Sequence, residues 1–561
     1  MHAIREDLRT TYHSYPNDTM QRCLSQRLVV GCTQVWLLTR SASSFAPQSS
    51  VVAAPKRGFS STTPLFAASL SFGSTWEDAA TYNSTTVIGK KESVEQLLPD
   101  LMEPLGFENI IEEPILDAMI GSLDAKTGGS STTMVSLQGE EGNVVHKVSV
   151  AGLPTQVSRH NHPMSVHKLT KLAKAGTKGN TRIVVLTDDS AVGPLASAIA
   201  KAFPLFSKKS KKPNDRNIDV VFCKSDGSLV DDETQIKAAQ AVASGVQLAA
   251  RLVDSHPELL TTTKFAHEVE KLVAEHPRVQ MTQLIGEALV DYGGLYGVGK
   301  AATCPPRMIL LEYEGNENSD ETVALIGKGI VYDTGGLSLK SRAGMSGMKH
   351  DMGGAAGLFG GFWSAVELGV SKKVHCILCL AENAIGPKSF RNDDILTMYS
   401  GKTVEVNNCD AEGRLVLGDG VAHATKHIED LDLIVDMATL TGAQLVATGK
   451  KHAGILANKE EVETRALDAG KHSGDLCYPL LYAPELLMDE FKSEVADMKN
   501  SVKDRSNAQT SCAGHFIEAH LDKSYEGGWL HVDMAGPGTD GQRGTGYGVG
   551  LVLSLLEAPG F

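Results

Sequence analysis

Asn407-Asn408-Cys409-Asp410-Ala411-Glu412-Gly413-Arg414-Leu415 sets two acids and an arginine at alternate positions. In extended chain, alternate side chains leave on one face, so this spacing predicts that Asp410, Glu412 and Arg414 project together. Carboxylates held side by side repel unless something cationic lies between them, and a metal pair is a natural candidate. Two further blocks offer partners. Gly327-Lys328-Gly329-Ile330-Val331-Tyr332-Asp333-Thr334-Gly335-Gly336-Leu337-Ser338-Leu339-Lys340 runs an apolar strand into a loop carrying an acid and two lysines. Met348-Lys349-His350-Asp351-Met352-Gly353-Gly354 puts an acid just ahead of a helix. Singly, the first also reads as a strand-end loop with a surface ion pair, and Asp351 as a helix cap. Together they supply Asp333, Asp351, Asp410 and Glu412 with Lys328 and Lys340. Hard divalent ions take oxygen ligands, and zinc accepts them too. Two ions about 3.5–4 Å apart form the usual hydrolytic pair.

The elements that must position these groups are legible around them. Ala324-Leu325-Ile326, Val374 to Leu380 and Leu433 to Val435 are continuous apolar runs, as expected of strands buried on both faces. Helical stretches such as Gly353 to Leu368 lie between them. The alternation implies a three-layer α/β/α domain with a mostly parallel central sheet over 246–561, its site at strand ends. Upstream, Arg182 to Thr187 and Asp219 to Phe222 read as strands with a helix from Pro194 to Phe203 between them. That predicts a small N-terminal α/β domain over 76–245, with no identifiable chemistry. Gln235 to Val253 has helical spacing and is expected to bridge the two.

At 561 residues the chain exceeds what one core supports, which favours two domains plus a leader. The net charge of −14 argues against nucleic acid as a partner. Nine cysteines at irregular intervals form no disulfide framework and point to a reducing compartment. No apolar run has the length a membrane span needs. Between Met20 and Trp76 there is no acid, while Arg22, Arg27, Arg40, Lys56 and Arg57 sit among Ser, Ala and Thr. Residues 1–75 therefore read as an organelle transit peptide. Arg57-Gly58-Phe59-Ser60-Ser61 favours a mitochondrial processing site; a plastid address and a cytoplasmic chain with an address-free extension are the alternatives.

The three acidic blocks, with Asp436-Met437-Ala438-Thr439-Leu440-Thr441-Gly442 and Trp529-Leu530-His531-Val532-Asp533-Met534-Ala535-Gly536, resemble the leucyl aminopeptidase family, also called cytosol aminopeptidases. The likeness runs from about Ala249 to the C-terminus. Ile330-Val331-Tyr332-Asp333 resembles the "probable aminopeptidase" branch. The resemblance implies a dinuclear-metal exopeptidase that releases N-terminal residues, with a leucine-type preference, by metal-activated water attack. It implies metal ligation by Lys328, Asp333, Asp351, Asp410 and Glu412, with a deprotonated Lys328. Two divalent ions per subunit are expected, zinc or manganese, with magnesium a further option. It assigns catalysis to Lys340, which meets the developing oxyanion, and to Arg414, which holds a bicarbonate. Substrate contacts are implied for Met348, Thr439, Leu440 and Gly442, peptides with a free N-terminus as substrates, and a homohexamer as the assembly. One departure is Cys409, where the family commonly has Thr; a change of packing is expected there.

Other signals carry less. Gly294 to Lys300 has the spacing of a phosphate loop, but Ala301 follows where Ser or Thr is needed. Cys376 and Cys379 lie three apart inside an apolar strand, hence on opposite faces, and are expected in the core. His531 reads as a structural histidine. No Gly-X-Ser-X-Gly elbow is present. Two rivals remain: a Cys-Gly dipeptidase using the same site, and a non-catalytic structural or nucleic-acid-binding relative.

Overall fold

The computed structural model describes residues 68–561 except 140–141, 188–190, 211–214, 275, 317–318 and 320. Six strands form the N-terminal sheet: β1 (Ala68–Gly73), β2 (Ser84–Lys90), β3 (Gly129–Gly139), β4 (Gly142–Leu153), β5 (Thr181–Leu186) and β6 (Arg216–Cys223). Their order is β1-β6-β5-β2-β4-β3, parallel except for the β3–β4 hairpin.

β1 corrects the expected extent of the leader. Residues 1–67 lie outside the described residues, but Ala68–Gly73 pairs in register with Arg216–Val221. Leu70 and Phe72 turn inward while Ser69 and Ser71 face out, and Phe72 stacks on Phe222 at 6.1 Å. The small polar residues that made this stretch resemble a presequence are the solvent side of an edge strand.

The catalytic half adds, in chain order, β7 (Val279–Ile285), β8 (Arg307–Tyr313), β9 (Thr322–Asp333), β10 (Lys373–Asn383), β11 (Ile395–Thr397), β12 (Thr403–Glu405), β13 (Leu433–Ala438), β14 (Ala453–Ala457), β15 (Cys477–Pro479), β16 (Met498–Lys499) and β17 (Gly528–Asp533). Eight of them make one sheet, β15-β14-β17-β13-β9-β10-β8-β7, whose centre β17-β13-β9-β10 is all parallel. β11, β12 and β16 form a separate small sheet.

Each central strand divides its residues between two cores. Val323, Leu325, Cys376 and Leu378 pack on one side with the Gly353–Leu368 helix, whereas Ala324, Ile326, Ile377 and Cys379 pack on the other with the Gly413–His427 helix. This is the three-layer arrangement that doubly apolar strands imply. It also accounts for Cys376 and Cys379, both fully buried and on opposite faces; burial pushes both thiols well up.

The chain leaves β9 for β10 on one side and later returns to lay β13 on the other. The crevice beyond the carboxyl ends of β9 and β13 is therefore a topological switch point, where open α/β sheets bind ligands.

The bridging helix runs Glu233–Asp254, capped by Asp232. It packs on both the Val192–Ala202 helix of the N-terminal layer and the Gly353–Leu368 helix. The expected domain boundary at 245/246 falls inside this single helix, and one continuous core of buried residues extends across it.

Candidate active site

Every acid singled out in the sequence lies at this crevice. Lys328 sits within β9 and Asp333 ends it. Gly335 and Gly336, with φ of +82° and +57°, turn the chain back at once; a side chain would be strained in that conformation. The turn lets Gly335 N–H donate to Asp333 Oδ1 at 2.8 Å. It also brings Lys340 back over the acids, its Nζ 2.7 Å from Asp333 and 2.5 Å from Asp410. A 3-10 turn, Met348–His350, delivers Asp351.

The Asp410–Arg414 segment departs from the extended chain expected. Cys409 and Asp410 form a turn, Glu412 has helical dihedrals, and Arg414 lies in the first turn of the Gly413–His427 helix. The groups converge through a tight turn rather than a pleat. Asn500, fully buried, holds that turn: its Oδ1 accepts from Asn407 N–H at 2.9 Å and its Nδ2 donates to the Asn408 carbonyl at 2.7 Å. Gly413 is required by close approach, since a Cβ there would lie 2.5 Å from Cε of Lys328. The Cys409 thiol is buried and donates to the Phe390 carbonyl at 3.4 Å, a packing role.

The resulting cluster is dense and largely buried. Lys328 Nζ lies 2.7 Å from Asp351 and 3.0 Å from Glu412, and donates to the Thr439 carbonyl at 3.1 Å. Oxygens of Asp333, Asp351 and Glu412 lie within 4.8 Å of one another, and all three residues are buried. Burial opposes the Lys328 ammonium, but Asp351, Glu412 and Asp333 outweigh it and hold its pKa raised. The depressed value expected for Lys328 therefore needs added cations; the protein groups alone act in the opposite direction. Burial pushes the carboxyls of Glu412 and Asp410 upward.

Two residues that sequence reasoning passed over orient this cluster. Asn383, at the end of β10 and fully buried, donates from Nδ2 to Asp333 Oδ1 at 2.8 Å and to the Cys409 carbonyl at 3.0 Å. Two acceptors facing one atom require that atom to be the amide nitrogen. The available signal was a polar residue closing an otherwise apolar strand at its carboxyl end. Asp533, at the end of β17, accepts from Thr441 Oγ1 at 2.7 Å and Leu440 N–H at 3.2 Å, which sets the loop after β13. It lies in a block already noted for its resemblance.

A cavity of about 760 Å³ opens over the cluster, lined by Lys340, Asp410, Glu412, Arg414, Leu440 and Gly442. That volume suits the end of a peptide. Arg414 is nearly buried; its Nε and Nη1 have no hydrogen-bond partner among the described residues, and burial lowers its pKa to about 10. Met348 and Thr439, expected at substrate, do not line this cavity. Met348 opens the turn that carries Asp351, and Thr439 donates its hydroxyl to Asp351 Oδ1 at 3.0 Å.

The weaker signals resolve as structural. Gly293–Gly299 is a short buried helix whose Leu295 N–H is taken by Asp419 at 2.8 Å, leaving no phosphate cradle. His531, fully buried, pairs with Asp436 at 2.5 Å.

Comparison with known proteins agrees with this geometry. Residues 247–553 match the model of the cytosol aminopeptidase family catalytic domain, and 103–212 match M17 aminopeptidase N-terminal domain 2. The mouse "Probable aminopeptidase NPEPL1" is 46% identical over 417 residues, 73% of this chain and 79% of that protein. Leucine aminopeptidase 1 of Caenorhabditis elegans is 40% identical, over 74% of this chain and 84% of its own. Among solved structures, leucyl aminopeptidase from Trypanosoma brucei in complex with bestatin superposes with a TM-score of 0.78 at 38% identity, covering 88% of this chain and 96% of that one. With the acids, the lysines and the switch-point crevice on the same scaffold, the chain belongs to the cytosol aminopeptidase family.

Proposed function

We propose that this metallo-aminopeptidase holds two divalent ions with Lys328, Asp333, Asp351, Asp410 and Glu412, and removes N-terminal residues of leucine type from peptides. The observation that carries the reading is a pair of buried carboxylate oxygens, Asp351 Oδ2 and Glu412 Oε2, with no hydrogen-bond partner among the described residues. An orphaned buried carboxylate oxygen is costly unless a cation or donor meets it. Four carboxylates and one amine make an oxygen-rich donor set that fits zinc, manganese or magnesium. Bound there, such ions supply a nucleophilic water at neutral pH and a Lewis acid for the scissile carbonyl.

The protein's own groups do the positioning. Asn383 and Gly335 fix one oxygen of Asp333, so its other oxygen faces the crevice and Lys340. Lys340, at the cavity wall with its charge sustained by Asp333 and Glu412 against burial, meets negative charge developing on a carbonyl oxygen. Arg414 offers unpartnered N–H groups to a small anion; bicarbonate fits that demand, and guanidinium itself stays protonated. Leu440 and Gly442 wall the cavity where the first side chain enters.

Chelator dialysis followed by add-back of zinc, manganese or magnesium, with turnover of Leu-amide and Cys-Gly, tests this reading. Loss and metal-specific recovery of Leu-amide turnover supports it. Preference for Cys-Gly moves the substrate to thiol dipeptides, and turnover indifferent to chelation defeats it. The family resemblance further supports a homohexamer, which sedimentation would register as six subunits. The acid-poor leader supports a mitochondrial address; the native chain is then expected to start between Ser60 and Ala68, ahead of β1.

A further inference from the structure

A second cavity, of about 200 Å³, lies where the N-terminal layer meets the catalytic layer. The Val166–Gly176 helix lends it His167, Thr170, Lys171 and Lys174, positions of one helical face, while Leu169, Leu172 and Ala173 on the opposite face are buried. Lys201 enters from the Val192–Ala202 helix, Lys451 from the loop before β14, and Arg543 from a hairpin near the C-terminus. Four separate elements thus aim cations into one concavity, in a chain whose net charge is −14. Basic composition cannot be the reason.

The acids present do not neutralise it. Among the described residues, Asp475 and Asp540 are the only acids that line the cavity. Asp475 is consumed by Lys201 at 2.5 Å and by the N–H groups of Gly548 and Gly550, each at 3.0 Å. Asp540 reaches Lys451 only at 3.9 Å with its side chain 75% exposed. Arg543 is anchored by Asp254 behind the wall, at 2.6 Å. Among the described residues Lys171 and Lys174 have no acidic partner, and His167 Nε2 is a buried atom with no hydrogen-bond partner. Burial chiefly lowers the His167 pKa to about 4, with Lys201 and Lys451 adding to it, so the ring at the floor is neutral at physiological pH.

We propose that this cavity binds a phosphate-class anion, either free phosphate or the phosphoryl group of a small phosphate monoester, held by Lys171, Lys174 and Lys451 with His167 at its floor. A compact dianion matches an uncompensated lysine pair better than a single carboxylate does. Ammonium groups bind phosphate as point charges without needing a planar fork. The volume admits a phosphoryl group with a few further atoms and excludes a polymer. Because the lysines belong to both layers, an occupant ties the N-terminal sheet to the catalytic half and stabilises the folded chain by mass action.

Calorimetric titration of the metal-loaded full chain with inorganic phosphate, and separately with ribose 5-phosphate, tests this at constant ionic strength against chloride. The proposal expects saturable binding, weakened about tenfold or more in Lys171→Gln/Lys174→Gln, the size of one lost charge-assisted contact. That variant changes two exposed rim residues and should keep Leu-amide turnover. Arg414→Gln should bind phosphate unchanged, which separates this cavity from the catalytic one. Tighter binding of the monoester identifies a phosphorylated metabolite as the occupant; equal or tighter binding of phosphate identifies the free ion. Absence of saturable binding, binding untouched by the double lysine change, or binding lost in Arg414→Gln each overturns the assignment.

Discussion

Replacing Asn383 by Leu removes an amide while keeping its heavy-atom count and branched shape, at a residue with no solvent exposure. Two hydrogen bonds vanish: one to the carboxylate Asp333 Oδ1 at 2.8 Å and one to the Cys409 carbonyl at 3.0 Å. A bond to a charged acceptor contributes roughly 1.5–3 kcal/mol and one to a neutral acceptor about 1 kcal/mol. The arrangement should therefore lose about 3 kcal/mol. Part of this appears as stability. The rest appears in the metal site, because Asp333 keeps only Gly335 N–H on that oxygen and the turn at Cys409 loosens beside Asp410. Outer partners of metal ligands typically govern 10- to 100-fold in affinity. Competition with a chromophoric chelator should show the Asn383→Leu protein binding its ions one to two orders of magnitude more weakly, and thermal unfolding should register the remainder. Metal affinity within twofold of the unaltered protein would refute the positioning role.

Lys340→Ala should retain metal by elemental analysis yet lose roughly 10²–10³-fold in kcat, the usual scale for one oxyanion donor; full activity removes Lys340 from the chemistry. Gly413→Ala puts a methyl group 2.5 Å from Lys328 Cε, so weaker metal binding in a chain of normal secondary structure is expected by titration and circular dichroism. Burial depresses His146, His162 and His423 to about 4 and His520 to about 3. These rings are neutral in the fold while the unfolded chain protonates near pH 6.5, so stability is present above that pH and lost as pH falls toward 4. Each contributes a slope of up to about 1.4 kcal/mol per pH unit. Tm should drop by several degrees between pH 7 and pH 5, and a flat profile contradicts the assignment.

The acids were legible because each lies within three residues of a glycine, near a strand end or a helix start, and such punctuation survives in one dimension. The two faces of each central strand were legible for the same reason: doubly buried strands need no alternation. Asn383, Asn500 and Asp533 were not, because an amide or acid that orients a neighbour carries no spacing rule of its own; its partner lies 50 residues away for Asn383 and 92 for Asp533 and Thr441. The geometry of Asp410 to Arg414 was misjudged because alternate spacing suits a strand, whereas a turn entering a helix can also gather three side chains. β1 was hidden by composition, since serines on a strand's wet side resemble a leader.

The Glu233–Asp254 helix carries a consequence for how the chain assembles as it is made. One flank covers the first sheet and the other needs the Gly353–Leu368 segment, more than a hundred residues further on. A nascent N-terminal half leaving the ribosome therefore holds a sticky apolar flank open until much of the second half has emerged. At about 5–20 residues per second, that window lasts on the order of ten seconds, an interval in which a chaperone or a neighbouring nascent chain can reach it.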